Sequence, residues 1–189
     1  MASFDRSYFD DMYSDNPDPW GFESRWYEQR KYALTIAALP EPLYRSGFEP
    51  GCSVGVLTSL LAPRCERLLA TEIVPSALAR AAERLSGVAH VVLERSAIPE
   101  VWPTDSFDLV VLSEIAYYFD ADTLTQIVER LMGSAVAGAT VVAVHWRGET
   151  NYPLTGDDAH RILRDSGDLE PMVHHLERDF VLDVWRRRP

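Results

Sequence analysis

The chain has 189 residues and a formal net charge of −11 at pH 7. That length suits one domain, residues 1–189, with a substantial core, and an acidic surface repels phosphate backbones, which argues against a nucleic-acid partner. No stretch approaches the roughly 18 to 20 apolar residues that span a bilayer, and Met1-Ala2-Ser3-Phe4-Asp5-Arg6 lacks the basic patch and apolar run of a secretory signal, so a cytoplasmic protein with no membrane partner is expected.

Residues 1 to about 27 do not read as a simple helix or strand. They hold Tyr8, Phe9, Tyr13, Trp20, Phe22, Trp26 and Tyr27 among acidic residues and two prolines. A disordered tail rarely carries so many aromatics, so the segment is expected to pack over something. Tyr27, Arg30, Lys31 and Leu34 have helical spacing, and Pro40 ends a helix over about 26–39. Residues 1–39 together are expected to form a cover and its helix.

From there strands and helices alternate. A strand over 43–49 leads into the turn Gly51-Cys52-Ser53-Val54-Gly55 and a helix over 56–61. Strands follow over 67–72, 88–93, 107–112 and 139–145, with helices over 75–85 and 122–132. The run at 107–112 is almost wholly apolar, as interior parallel strands covered on both faces are. A short helix over 157–165 precedes two strands, 169–176 and 179–185, whose spacing predicts an antiparallel hairpin. The expected fold is α/β, a three-layer α/β/α sandwich. Cys52 and Cys65 lack metal spacing and read as buried thiols; Arg186-Arg187-Arg188 reads as a solvated tail.

The sharpest local feature is Glu49-Pro50-Gly51-Cys52-Ser53-Val54-Gly55, between a strand and a helix. Glycines allow a tight turn and close approach of a ligand to the backbone, and the helix start supplies unpaired N–H groups. Glu72 ends the next strand, where a doubly wound fold places a carboxylate against a ribose diol. The turn lacks the G-x-G-x-x-G spacing of a dinucleotide site, with Ser53 in the middle position. The plainer alternatives are turn geometry alone for Gly51 and Gly55 and an ordinary exposed carboxylate for Glu72.

This motif resembles the first motif of class I S-adenosylmethionine-dependent methyltransferases. More narrowly, the chain is similar to the NodS family of nodulation N-methyltransferases. Carrying segments are Asp18-Pro19-Trp20-Gly21-Phe22, Trp26-Tyr27-Glu28-Gln29-Arg30-Lys31-Tyr32, the Glu49 motif, Leu112-Ser113-Glu114-Ile115-Ala116-Tyr117-Tyr118, His145-Trp146-Arg147, Tyr152-Pro153-Leu154-Thr155-Gly156 and the closing hairpin. The resemblance implies a Rossmann-like methyltransferase fold with a mostly parallel seven-stranded sheet, and S-adenosyl-L-methionine as cofactor with S-adenosyl-L-homocysteine as product. It implies that Glu49, Gly51, Cys52, Ser53 and Gly55 face the methionine part, that Glu72 holds the ribose, and that Trp20 and Arg30 fold over the pocket, with Ser113 also at the cofactor. Family members often carry an acidic residue just after the third strand. Here Ala97 fills that slot, which leaves the adenine contact to backbone groups or Ser96.

Methyl transfer from a sulfonium is an in-line substitution that holds the nucleophile roughly 3 to 3.5 Å from the methyl carbon. An amine acceptor also needs a proton acceptor nearby. Reacting groups lie beyond the C-terminal strand ends, and two candidates end strands, Glu114 and His145. A helix-start carboxylate and a structural imidazole are the plainer readings of the pair. Tyr117, Tyr118, Tyr13, Arg147 and Tyr152 are the expected acceptor contacts; packing alone is the other reading of the tyrosines. His174 and His175 point to opposite faces of one strand, which argues against a shared metal ion. The expected substrate is a small molecule methylated on nitrogen, an amino sugar or related amine. The competing readings are a small-molecule O-methyltransferase and a non-catalytic cofactor-binding regulator.

Overall fold

The structure is a computed structural model that describes residues 2–4 and 6–189. The chain divides into two compact units, Asp5–Ala97 and Met1–Phe4 with Ile98–Pro189, called the N-terminal and C-terminal units below. Seven strands form one mixed sheet with helices around it, the expected fold class.

In the N-terminal unit the strand order is β3-β2-β1, all parallel: β1 (Gly47–Pro50), β2 (Leu68–Glu72) and β3 (Val91–Arg95). Among the described residues, its α-helices are α1 (Arg6–Asp15), α2 (Trp26–Ala37), α3 (Val56–Leu61) and α4 (Pro75–Arg84). Strand β1 is buried throughout. Helix α4 carries Pro75 in its first turn, where the missing N–H has no partner to lose.

In the C-terminal unit the order is β4-β5-β7-β6: β4 (Phe107–Ser113), β5 (Ala135–Trp146), β6 (Leu169–Leu176) and β7 (Phe180–Arg187). Strands β4 and β5 are parallel, and β7 is antiparallel to both β5 and β6, so the expected closing hairpin is present. Helix α5 (Ala121–Ser134) is capped by Asp120, whose side chain accepts from Thr123 N–H. Helix α6 (Gly156–Asp165) starts with a reciprocal capping box between Thr155 and Asp158.

Several expectations are corrected. Residues 6–15 are helical, although the segment does not read as a helix. Its apolar side chains, Phe9 and Tyr13, pack on Val54, Val74 and Ala77, so tertiary contact outweighs weak local propensity. Strand β3 starts three residues later than expected, and β5 begins four residues earlier. Arg186 and Arg187 belong to β7 rather than to a tail. Cys52 and Cys65 are buried, as expected. No helix among the described residues is long and apolar enough to cross a membrane.

Candidate functional site

The polar centre of the N-terminal unit is Glu72. Its Oε2 accepts the Ser53 amide at 2.9 Å, and its Oε1 accepts the Ile73 and Val74 amides at 2.8 Å each. The backbone gets there through left-handed residues: Gly51 at φ 73°, Ser53 at φ 53° and Gly55 at φ 76°. Gly55 has a second constraint, since a Cβ there would lie 3.0 Å from the Ala81 Cβ. Burial pushes the Glu72 pKa up, and the three amides pull against it. Ser96 lies beside it, its N–H donating to the Glu72 carbonyl at 3.2 Å.

Glu49 ends β1 and is 2 % exposed. Its Oε2 has no hydrogen-bond partner, nor has Thr58 Oγ1. Burial raises the Glu49 pKa to about 8. Cys52 is likewise pushed up by burial, then by the charges of Glu49 and Glu72.

The aromatic N-terminal segment covers this centre. Tyr13 shares a short hydrogen bond with Ser53, and its ring meets Trp20 edge-on at 5.6 Å. Trp20 stacks on Phe22. Burial, then the charge of Glu72, drives the Tyr13 pKa up, so its hydroxyl keeps its proton. Asp18 accepts the amides of Phe22 and Glu23, which closes the Trp20 loop. Glu23 then pairs with Arg80, at 2.9 Å, and with Arg84, whose Nε donates to the Val54 carbonyl. Tyr13, expected among the acceptor contacts, thus stands at the glycine turn. Arg30 is exposed on α2, while the neighbouring Lys31 is 1 % exposed and 2.9 Å from Glu28. Sequence reasoning missed that buried pair, although Glu28 and Lys31 stand three apart on one helix face.

In the C-terminal unit the site begins where β4 ends. Ser113, half-buried, pairs in register with Val144. Glu114 follows at φ 55°, a costly conformation for a non-glycine residue. Its Oε2 accepts from the Tyr117 hydroxyl and from Trp146 N–H at 3.0 Å. Tyr117 belongs to a 3-10 turn, Ala116–Tyr118, and burial, then the charge of Glu114, pushes its pKa well up. Tyr118 and Tyr152 pack on it with ring centroids 4.8 and 4.9 Å away. Phe4 adds a fourth ring, 5.8 Å from Tyr152. A strap of Ser3 and Phe4 holds it: Ser3 Oγ donates to Asp120 Oδ2 at 2.7 Å and accepts the Asp120 amide at 2.9 Å, and the Phe4 amide donates to the Tyr118 carbonyl. The Ser3 hydrogen bond and the Thr123 amide hold the Asp120 pKa well below the usual carboxylate range.

His145 is fully buried on β5. Its Nε2 accepts the Ala116 N–H at 3.0 Å, and its Nδ1 lies 2.9 Å from His160 Nε2. His160 Nδ1 is 2.6 Å from Asp183 Oδ2, and His174 Nδ1 is 2.6 Å from Oδ1 of the same carboxylate. Gly156 makes the approach of α6 possible, because a Cβ there would sit 2.4 Å from the Trp146 carbonyl oxygen. Sequence reasoning missed His160 and Asp183. The available signal was Asp183 inside the apolar run Phe180-Val181-Leu182-Asp183-Val184-Trp185, since a buried charge needs a partner. Arg147 grips Asp157 with two nitrogens, at 2.8 and 2.9 Å, and donates to the Glu177 carbonyl. Hydrogen bonding with Asp157 raises the Arg147 pKa and lowers that of Asp157.

Among known proteins, the Nodulation protein S (NodS) family profile matches residues 10–142. Nodulation protein S of Rhizobium tropici is 31% identical over 102 residues, which are 53% of this chain and 43% of that protein. Its Bradyrhizobium diazoefficiens counterpart is 33% identical over 102 residues, 53% of this chain and 49% of that protein. The chain thus spans about half the length of the curated relatives it matches. Among solved structures, a Pseudomonas syringae protein described as a candidate methyltransferase is 39% identical, with TM-score 0.78, covering 86% of this chain and 100% of that one. The N-methyltransferase NodS of Bradyrhizobium japonicum, in complex with S-adenosyl-L-homocysteine, has TM-score 0.81 at 23% identity, covering 92% of this chain and 94% of that one, a likeness of fold. With the family profile matching well over half of its length, this chain belongs to the NodS family.

Proposed function

We propose that this protein is an S-adenosylmethionine-dependent methyltransferase that methylates the nitrogen of a small-molecule acceptor, an amino sugar or related amine, with residues 1–189 acting as one domain and residues 1–39 as its cover. The observation that carries the reading is Glu114, a carboxylate at a strand end, in a left-handed backbone conformation, gripped by Tyr117 and the Trp146 amide among tyrosine rings.

The N-terminal unit fits the cofactor. The orphaned Glu49 Oε2 suits a cationic group such as the cofactor's amino group. Gly51, Cys52, Ser53 and Gly55 would hold the methionine part, Glu72 the ribose and Ser96 the adenine side, with Tyr13 and Trp20 as cover. A carboxylate offers about four acceptor positions, and amides already take three on Glu72. Seating both ribose hydroxyls therefore requires at least one amide to give way. Bound S-adenosylmethionine supplies an electrophilic methyl group.

This chain's own residues do the rest. The rings of Tyr117, Tyr118 and Tyr152 wall the acceptor and exclude water, and aromatic faces attract a cationic amine before it loses its proton. Glu114 orients the amine and receives the proton directly or through water. His145 is assigned no proton transfer, since a backbone N–H occupies its Nε2 and His160 faces its Nδ1. Arg147, paired with Asp157, is left out of the acceptor set.

A mass-spectrometric screen with a labelled methyl donor, covering amino sugars, other amines and hydroxylated metabolites, tests this. The expected product carries the label on nitrogen, and Glu114→Gln lowers turnover while sparing cofactor affinity. A purely oxygen-methylated product rejects the acceptor class. Cofactor binding without turnover across the whole panel rejects the enzyme reading in favour of a regulator. Tighter binding of NAD than of the adenosyl cofactor rejects both.

A further inference from the structure

The C-terminal unit buries His160, at 2 % exposure, and Asp183, at 4 %, ionisable side chains that the mechanism above does not use. Their hydrogen bonds leave one arrangement of protons. The Ala116 amide can only donate, so His145 Nε2 must present its lone pair. A neutral imidazole then carries its proton on Nδ1, and that N–H donates to His160 Nε2. His160 in turn carries its proton on Nδ1 and donates to Asp183 Oδ2. The other oxygen, Oδ1, accepts from half-exposed His174, its cross-strand neighbour. Burial works to raise the Asp183 pKa, and the hydrogen bonds from His160 and His174 outweigh it, so the carboxyl stays ionised. A proton on the wrong nitrogen of either ring sets two N–H groups against each other and breaks the chain.

We infer that His160 and Asp183 are positioning residues: through the Nδ1–H tautomer of His145 they hold the Ala116–Tyr118 turn, and with it the Tyr117 hydroxyl against Glu114. The inference rests on the reading that Glu114 and Tyr117 meet the acceptor. Its chemistry is that of a carboxylate orienting an imidazole through a second ring. The capping box and Gly156 bring α6 close enough for His160 to reach His145.

The test uses the intact protein and nitrogen-15 NMR of its imidazoles at pH 7. The expected result is scalar coupling across two N–H···N bonds, from Ala116 N to His145 Nε2 and from His145 Nδ1 to His160 Nε2, with both rings neutral. A proton on His145 Nε2, or absence of both couplings, overturns the inference whether or not the protein transfers methyl groups. Asp183→Asn supplies the kinetic arm, because an amide replaces one of the two acceptor oxygens used by His160 and His174 with an NH2 donor. Turnover is expected to fall about tenfold, with cofactor affinity and acceptor KM within about twofold. Unchanged turnover in a variant whose His145 tautomer has switched overturns it too. If the unaltered protein methylates nothing on the panel, the function reading fails separately, and the couplings still decide the hydrogen-bond chain.

Discussion

The two units hold their carboxylates by different means. In the N-terminal unit, Glu72 is bound by three main-chain amides from residues 53, 73 and 74. In the C-terminal unit, Asp183 is bound by two histidine side chains, and Glu114 by a tyrosine hydroxyl and one amide. Main-chain donors survive almost any substitution at their own positions, provided the backbone keeps its path. A side-chain network ties the identity of every member to every other. The contrast teaches that the first site is vulnerable through its turn geometry and the second through its side chains.

The largest expected effect probes the point where backbone geometry also limits the C-terminal unit. Gly156→Ala places a Cβ 2.4 Å from the Trp146 carbonyl oxygen and 3.1 Å from the His145 Cβ. Overpacking of this kind costs about 1–3 kcal/mol, and the value is expected near the upper end. Denaturant titration gives the loss, and hydrogen exchange should show it in β5 and β7 while β1 and β2 keep their protection. A neutral substitution would mean that α6 can move away freely.

Next, Glu72→Ala is expected to weaken the adenosyl cofactor by about 1.5 to 3 kcal/mol, the worth of hydrogen bonds to a charged group, measured by calorimetry. Affinity unchanged in a folded variant removes Glu72 from the cofactor site and leaves it a backbone fastener only.

The third prediction concerns pH. The folded protein raises the Glu49 pKa to about 8 from 4.5. Between those values the unfolded chain has released a proton that the folded one keeps. Stability from this group is therefore complete below about pH 4.5, declines as pH rises and levels off above about 8. The slope is bounded by about 1.4 kcal/mol per pH unit. Glu49→Gln should flatten that decline in melting curves taken between pH 5 and 8, and a parallel pair of curves would show Glu49 already ionised.

The smallest effect is at the cover. Glu23→Ala removes contacts to Arg80 and Arg84 that are about one-third exposed, worth at most about 1 kcal/mol and less in salt. Limited proteolysis over residues 10–25 should accelerate in this variant and slow when cofactor is added. Cleavage indifferent to both would detach the cover from the cofactor site.

The same contrast decides what the sequence could tell. The turn at Gly51–Gly55 and the carboxylate of Glu72 were legible because strand, glycines and acid lie within 25 residues and each has a local rule. Helix α1 was not, since its residues become helical only by packing on Val54, Val74 and Ala77. Glu114 was legible as a strand-end carboxylate, but its grip by Trp146 N–H joins positions 32 apart. His145 reads as a strand-end group able to orient the amine or take its proton; its partners Ala116 and His160 lie on separate elements, 29 and 15 residues away. No periodicity connects such positions. The pairing of Arg147 with Asp157 was not legible either, because a charged residue after a strand end carries no local mark of a partner ten positions on.

The strap has a consequence in the order of synthesis. Ser3 and Asp120 are separated by 117 residues, whereas Ser53 and Glu72, which meet in the N-terminal unit, are separated by 19. At roughly 5 to 20 residues per second, Ser3 leaves the ribosome roughly 6 to 23 seconds before Asp120 does. Through that interval the Phe4 ring has no Tyr118 or Tyr152 to cover it. Closing so long a loop also costs more entropy than the local contacts do. The docking of Ser3 and Phe4 on Asp120 and Tyr118 therefore marks a late step of folding.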